Sequence, residues 1–134
     1  MKYEDVELGD ELPTEHPDVS MERVVKFTAA ADQQFPRFTD HEAARAEGLP
    51  GALVPGIMSQ GLLAAMIHRW APGSTIHRLD TVFRGPLIVG TSPTLSGAVT
   101  DTDDDARTAE IDLTVITEDG RTSVLGTAVV SFAD

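Results

Sequence analysis

The sequence predicts an α+β protein in which a curved antiparallel sheet wraps around one long central helix. Helical spacing of apolar residues is confined to the first half, a helix beginning at Gly56 is apolar on most faces, and the second half alternates as strands do. Such a helix and strands with one apolar face each can bury one another. With 134 residues and no repeat or linker, the chain is expected to form a single domain, 1–134.

The first elements are predicted from their caps and breakers. Residues 8–13 are expected to form a turn and the segment from there to Val19 a first strand, which Pro13 and Pro17 confine to the edge of a sheet. Ser20 is a good N-cap and apolar residues follow it at helical spacing, which predicts a first helix over 20–32 that ends before Pro36.

Two more helices are expected in the middle of the chain. Asp40 is placed to cap a short helix over 41–47, and Gly48 is placed to end it. The central helix begins at Gly56, and because apolar residues occupy most of its faces we expect it to be buried until Pro72 stops it.

The remaining sequence has the pattern of an antiparallel meander, with strand-like segments separated by turns. Strands are predicted around 76–83, 95–100, 110–117 and 123–132. The segment 118–121, Glu-Asp-Gly-Arg, predicts a tight hairpin between the last two strands.

Composition excludes several classes of function. The formal net charge is -12 with only 10 lysines and arginines, which argues against a nucleic acid or an anionic membrane as partner. The absence of cysteine removes thiolate nucleophiles, disulfides and cysteine-based zinc sites, and no metal site is expected. The start of the chain does not read as a signal peptide, and the apolar stretch 57–67 is too short to span a bilayer, so we expect a cytoplasmic protein.

Asp32 and Gly56 are the candidate chemical groups. Asp32 lies where the first helix ends, and an exposed helix-terminal carboxylate is the alternative interpretation. Pro55 orders the backbone before the central helix, and a glycine at the helix start lets a ligand oxygen approach an unpaired amide at the positive end of the helix dipole. A plain Pro-Gly turn remains the alternative for this pair.

These motifs resemble the MaoC-like branch of the hotdog superfamily, the (R)-specific enoyl-CoA hydratases and 3-hydroxyacyl dehydratases. The family text Gly-Asp-x-Asn-Pro-x-His is matched by Asp32 and by Gln34 in place of the Asn. A helix start follows at 40–44, and Val-Pro-Gly-Ile-Met at 54–58 matches the start of the family's central helix. Residues 81–87 resemble the family's Phe-x-x-Pro-Leu strand.

The resemblance implies a hotdog fold and a lyase that adds water to an enoyl thioester of CoA or an acyl carrier protein, or removes it from the 3-hydroxyacyl form. It implies that Asp32 positions or activates the water, that the Gly56 amide is the oxyanion donor, and that no cofactor is needed beyond the thioester itself. Residues expected to contact the substrate are Gln34, Arg37, Pro55, Ile57, Met58 and Ser59. For Ser59, close packing of the helix is the alternative.

The sequence departs from the family at the catalytic histidine. Counted without gaps that position is Arg37, and with one residue inserted it is Phe38. Neither is a neutral base, since arginine stays protonated; Arg37 could instead bind an anion or pair with Asp32. Either His41 supplies the missing imidazole, or Asp32 acts alone, or the chain is the non-catalytic half of a heterodimer. A solvated first-turn position is the alternative for His41.

Three functional hypotheses follow. The first is a hydratase or dehydratase, the second is a catalytically silent subunit that binds acyl thioesters, and the third is a hotdog thioesterase in which Asp32 activates water. A single curved sheet leaves open edge strands, so we expect a homodimer or a heterodimer with another hotdog subunit.

Overall fold

The computed structural model describes residues 1–134 and confirms the α+β architecture. After a short 3-10 helix at Tyr3–Asp5, the elements are α1 (Met21–Ala30), α2 (Pro36–Thr39), α3 (His41–Ala46), α4 (Gly56–Trp70), β1 (Thr75–Phe83), β2 (Thr94–Asp103), β3 (Thr108–Ile116) and β4 (Thr122–Ser131). None of these helices combines the length and apolar character that crossing a bilayer requires.

The four strands form one antiparallel sheet in the order β1-β4-β3-β2. The predicted hairpin between β3 and β4 is confirmed: the Thr117 amide donates to the Arg121 carbonyl at 2.8 Å, and Gly120 adopts a φ of 84°. Because the last strand pairs with both β3 and β1, the two outer strands of the sheet are β1 and β2.

The two outer edges differ in how they are covered. The strand predicted between the turn at 8–13 and Val19 is wrong as a continuous element, since residues 8–19 make only isolated bridges, from Glu11 to Ala98 and from Glu15 to Leu95 of β2. Pro13 lies between the two bridges and has no amide hydrogen for a ladder. No strand pairs with the outer edge of β1.

The core lies between α4 and the sheet. Leu63, Met66 and Ile67 of α4 are fully buried. They join a cluster with sheet residues that include Ile111, Leu113 and Val115 of β3. The expectation that α4 is buried on most faces is met on one side only, because Gly61 is exposed and Ile57 keeps 47% of its surface accessible.

The segment between α1 and α4 shows both confirmed and wrong predictions. Ser20 caps α1 by accepting from the Arg23 amide at 3.4 Å, and Asp40 caps α3, as predicted. The first helix ends at Ala30, two residues before Asp32. Pro36 does not only end helical structure: it starts α2, because proline fits the first turn of a helix.

Candidate active site at the start of the central helix

The start of α4 carries two unpaired backbone donors. The amides of Met58 and Ser59 donate to the Pro55 carbonyl at 3.0 and 3.2 Å, whereas the amides of Gly56 and Ile57 have no acceptor in the chain. Free N–H groups at this position lie at the positive end of the helix dipole. The start of α4 therefore presents two donors for an oxygen that gains negative charge.

An apolar cavity of about 310 Å³ opens at the start of α4, with Gly56 in its wall and Ile57 outside it. Its lining includes Phe38, Val54, Gly56, Ser59, Phe83 and Leu87. Most of the wall is apolar, and the polar side chains in it are Ser59 and Ser123. A mainly apolar cavity with a few placed donors suits a ligand that has an apolar chain and one carbonyl group.

Of the residues predicted to contact substrate, Gly56 and Ser59 lie in this wall. Ser59 is only 2% exposed, so its side chain serves both the packing of α4 and the cavity surface. Pro55 is buried directly before the helix. Met58 lies instead in a second groove together with Phe27 of α1.

Asp32 keeps its carboxylate free but is not part of the cavity wall. It is exposed, its side chain forms no hydrogen bond or ion pair with the chain, and its backbone has a φ of 55°. Few residues other than glycine adopt this left-handed conformation, although aspartate tolerates it better than most. The turn after α1 thus presents an unengaged carboxylate to solvent.

The segment that follows Asp32 runs beside the loop before α4. The carbonyl of Arg37 accepts a hydrogen bond from the Leu53 amide at 2.8 Å, and Phe38 enters the cavity wall. The rings of Phe35 and Phe38 stack edge to face with centroids 6.1 Å apart. Arg37 and Phe38 therefore connect the segment that follows Asp32 to the loop that precedes Gly56. Gln34 remains exposed and makes no side-chain hydrogen bond.

Arg37 has a partner other than Asp32. Its Nη2 lies 3.4 Å from Oε1 of Glu47, just after α3, and both side chains are about half exposed. Phe38 is the alternative position for the family histidine. Neither position offers a neutral nitrogen base.

His41 is engaged in a structural contact. Its Nδ1 accepts a hydrogen bond from the Ala52 amide at 3.0 Å, which joins α3 to the loop before α4. A nitrogen that accepts in this way carries no proton, so the contact requires neutral imidazole with the proton on Nε2. His41 therefore positions the loop that leads to Gly56, and its use as an acid or base would require this bond to break.

Phe83 and Phe38 line the cavity, although neither was predicted to contact the substrate. A Cβ at position 56 would lie 2.9 Å from Cζ of Phe83, so the half-exposed ring would have to move to admit it. The sequence signal for Phe83 was the resemblance of residues 81–87 to Phe-x-x-Pro-Leu. It indicates the end of a strand but not which residues contact that end. No group of three histidine, aspartate or glutamate side chains is placed to hold a metal ion.

Solved structures resemble the chain over almost its whole length. The (R)-hydratase from A. caviae involved in PHA biosynthesis has 22% identity and a TM-score of 0.91, covering 96% of this chain and 98% of that one. The ChsH1-ChsH2 complex from Mycobacterium tuberculosis has 21% identity and a TM-score of 0.87 over 96% and 99%. No family model and no curated protein sequence matches the chain.

A MaoC-like dehydratase has 28% identity and a TM-score of 0.90, and covers 98% of this chain. The chain spans only 42% of that protein's length. Together these likenesses define the class of protein: a hotdog domain, with the sheet packed on one long helix. Within that class the fold is the one shared by MaoC-like dehydratases and (R)-hydratases, as the sequence motifs predicted.

Proposed function

We propose that the chain binds an enoyl or 3-hydroxyacyl thioester at the start of α4 and takes part in its hydration or dehydration. The observation that carries this proposal is the start of α4, where the amides of Gly56 and Ile57 have no acceptor and Gly56 lies in the wall of an apolar cavity. The thioester carbonyl would accept from these amides, and the acyl chain would occupy the cavity. The likeness to MaoC-like dehydratases and (R)-hydratases supports the same assignment.

The amides would act where charge develops. When water adds to C3 of an enoyl thioester, electron density moves through C2 to the carbonyl oxygen, which becomes enolate-like. Fixed donors that point at this oxygen stabilise the transition state more than the ground state. Loss of one such donor costs about 100-fold to 1,000-fold in rate in other enzymes.

Asp32 is the residue we assign to the water. Its carboxylate would take a proton from water as the oxygen bonds to C3, and the resulting acid would return a proton to C2, so that H and OH add across the double bond. Dehydration runs through the same steps in reverse. Because Asp32 lies outside the cavity wall, the reacting carbons would have to lie at the mouth of the cavity, or a second subunit would bring its cavity to Asp32.

We further propose that the chain works as a dimer with another hotdog subunit, identical or different. The outer edge of β1 has no partner strand, and it carries Val82 and Phe83, which are 51% and 53% exposed. Phe83 also lines the cavity, so a subunit paired at this edge would lie next to the site.

A second candidate function is a catalytically silent subunit that binds the thioester and completes a dimer. Two contacts favour it: Arg37 pairs with Glu47, and His41 is engaged with the Ala52 amide. Neither group is free to serve as a second acid or base beside Asp32. The thioesterase hypothesis shares the same carboxylate and is separated from the others by its product.

The test is the reaction of crotonyl-CoA with the purified chain, followed by the loss of enoyl-thioester absorbance and by release of free thiol. We expect the absorbance to fall without thiol release, and Asp32→Asn to slow this by about 100-fold or more. Asp105→Asn, an exposed residue in the β2–β3 turn, is the matched control and should react at the wild-type rate.

Other results would redirect or reject the assignment. Thiol release would identify a thioesterase. Absence of both reactions, with a melting temperature that rises on addition of butyryl-CoA, would favour the silent subunit, because a ligand that binds only the native state stabilises it. No reaction and no thermal shift would overturn the proposal of a thioester site.

A further inference from the structure

A second and larger cavity adjoins the apolar one. Its volume is about 510 Å³, and residues Gly85 and Pro86 belong to the walls of both cavities. Seven of its 11 lining residues are polar or charged, and these include Arg84 and Arg121. The apolar cavity at the start of α4 and a cavity with two guanidinium groups thus border the same short turn.

Arg84 is one of three cations of this acidic chain, with Lys2 and Arg23, that form no ion pair. Seven of the ten lysines and arginines form ion pairs with carboxylates. Arg84 has no such partner, and it lies in the wall of the 510 Å³ cavity. In a chain of net charge -12 an unpaired arginine at a cavity is an available site for an anionic ligand.

The backbone of Arg84 is held in place by β4. The carbonyl of Ser123 accepts from the Arg84 amide at 2.8 Å and from the Gly85 amide at 3.3 Å. The hydroxyl of Ser123, which is buried, donates back to the Gly85 carbonyl at 2.9 Å. This turn is therefore anchored, so binding would need to order only the arginine side chain.

The acids in the same cavity are already engaged. Glu118 accepts a hydrogen bond from the Ser92 amide at 3.3 Å. Asp119 accepts from the hydroxyl of Thr117 and lies 3.4 Å from Nε of Arg121. The Thr117 hydrogen bond, with Arg121 as a smaller cause, lowers the pKa of Asp119 below its ordinary value. These contacts leave Arg84 as the cation without a carboxylate.

We propose that Arg84 binds a phosphate of the carrier that delivers the acyl group, with the pantetheine arm crossing the turn at Gly85 and Pro86. This inference rests on the proposed function, because it assigns the carrier end of the same thioester. Arginine suits this task, since its planar guanidinium donates two parallel hydrogen bonds to phosphate oxygens. Coenzyme A and a carrier-bound phosphopantetheine share this phosphate.

The test measures affinity by calorimetry for butyryl-CoA, butyryl-phosphopantetheine and butyryl-pantetheine, the last of which has no phosphate. Arg84→Gln should weaken the two phosphorylated ligands about tenfold and leave butyryl-pantetheine unchanged. Arg78→Gln is the matched control, because Arg78 is an exposed arginine of β1 that pairs with Asp80 outside both cavities. It should bind all three ligands as the wild type does.

The three ligands distinguish which phosphate Arg84 binds. If Arg84→Gln weakens both phosphorylated ligands equally, Arg84 binds the phosphate of the phosphopantetheine, which CoA and a carrier protein share. If it weakens butyryl-CoA alone, Arg84 binds a phosphate of the nucleotide part of CoA. An unchanged affinity of Arg84→Gln for butyryl-CoA, or an equal loss for butyryl-pantetheine, would overturn the inference while the thioester site stands. Failure of the wild type to bind any of the three ligands would overturn the proposed function as well.

Discussion

The ring of Phe83 lies against the Cα atom of Gly56, so that a Cβ placed on this glycine would be 2.9 Å from Cζ of the phenylalanine. Gly56 is not among the residues with positive φ. It is therefore the approach of the ring, and not a special backbone conformation, that disfavours a larger residue at the start of α4. The end of β1 and the start of the central helix form one wall of the cavity through this contact.

Gly56→Ala should weaken binding of butyryl-CoA by about tenfold or more, as measured by calorimetry. The added methyl group forces the half-exposed Phe83 ring to move, which lowers the free energy of unfolding by at most about 3 kcal/mol. It also fills space beside the free amides. Gly61→Ala is the matched control, since a Cβ there meets nothing within 4 Å.

Gly61→Ala should bind normally and gain up to about 1 kcal/mol of stability from its higher helix propensity. Wild-type affinity in Gly56→Ala would show that the start of α4 does not hold the thioester.

His41 variants should separate a structural role from a catalytic one. His41→Ala leaves the buried Ala52 amide without its acceptor, and we expect a loss of about 1–3 kcal/mol in the free energy of unfolding. His41→Asn offers a carbonyl oxygen close to the former Nδ1 position, so it should restore most of this stability. Denaturant unfolding and the hydration assay would be run on both variants.

If His41 only positions the loop, hydration by His41→Asn stays near the wild-type rate. A comparable loss of rate in both variants, with stability restored in the asparagine form, would instead make His41 a proton carrier.

Arg37→His should increase the rate of crotonyl-CoA hydration. It places an imidazole at the ungapped family position, five residues after Asp32, where a second acid or base can contribute about 100-fold or more when it is well placed. Glu47→Gln is the control, because it removes the same ion pair without adding a base. A fall in both rate and acyl-CoA affinity in Arg37→His would mean that the guanidinium itself binds substrate.

Local sequence signals predicted most of the fold. The hairpin at 117–121 followed from Gly120, and the start of α4 followed from Pro55 and Gly56. The first helix ends before Pro36 as predicted, but this proline also starts α2, a helix that was not predicted. The first predicted strand is reduced to isolated bridges beside Pro13.

The candidate site was predictable only in part. Gly56 and Ser59 could be identified because both lie within one helical turn of a recognisable motif. Phe83 could not, because its contact with Gly56 depends on how β1 returns along α4. The hydrogen bond between His41 and the Ala52 amide could not be predicted either, because it forms only when the intervening loop folds back onto α3.

The central claim is that the amides of Gly56 and Ile57 hold the acyl carbonyl, and amide NMR tests it most directly. The ligand is a butyryl-CoA analogue with a methylene in place of the thioester sulfur, which keeps the carbonyl but cannot be hydrated or hydrolysed to a thiol. We predict that the Gly56 and Ile57 amide protons move downfield and saturate with the ligand. Saturable binding that leaves both resonances unmoved would contradict the claim.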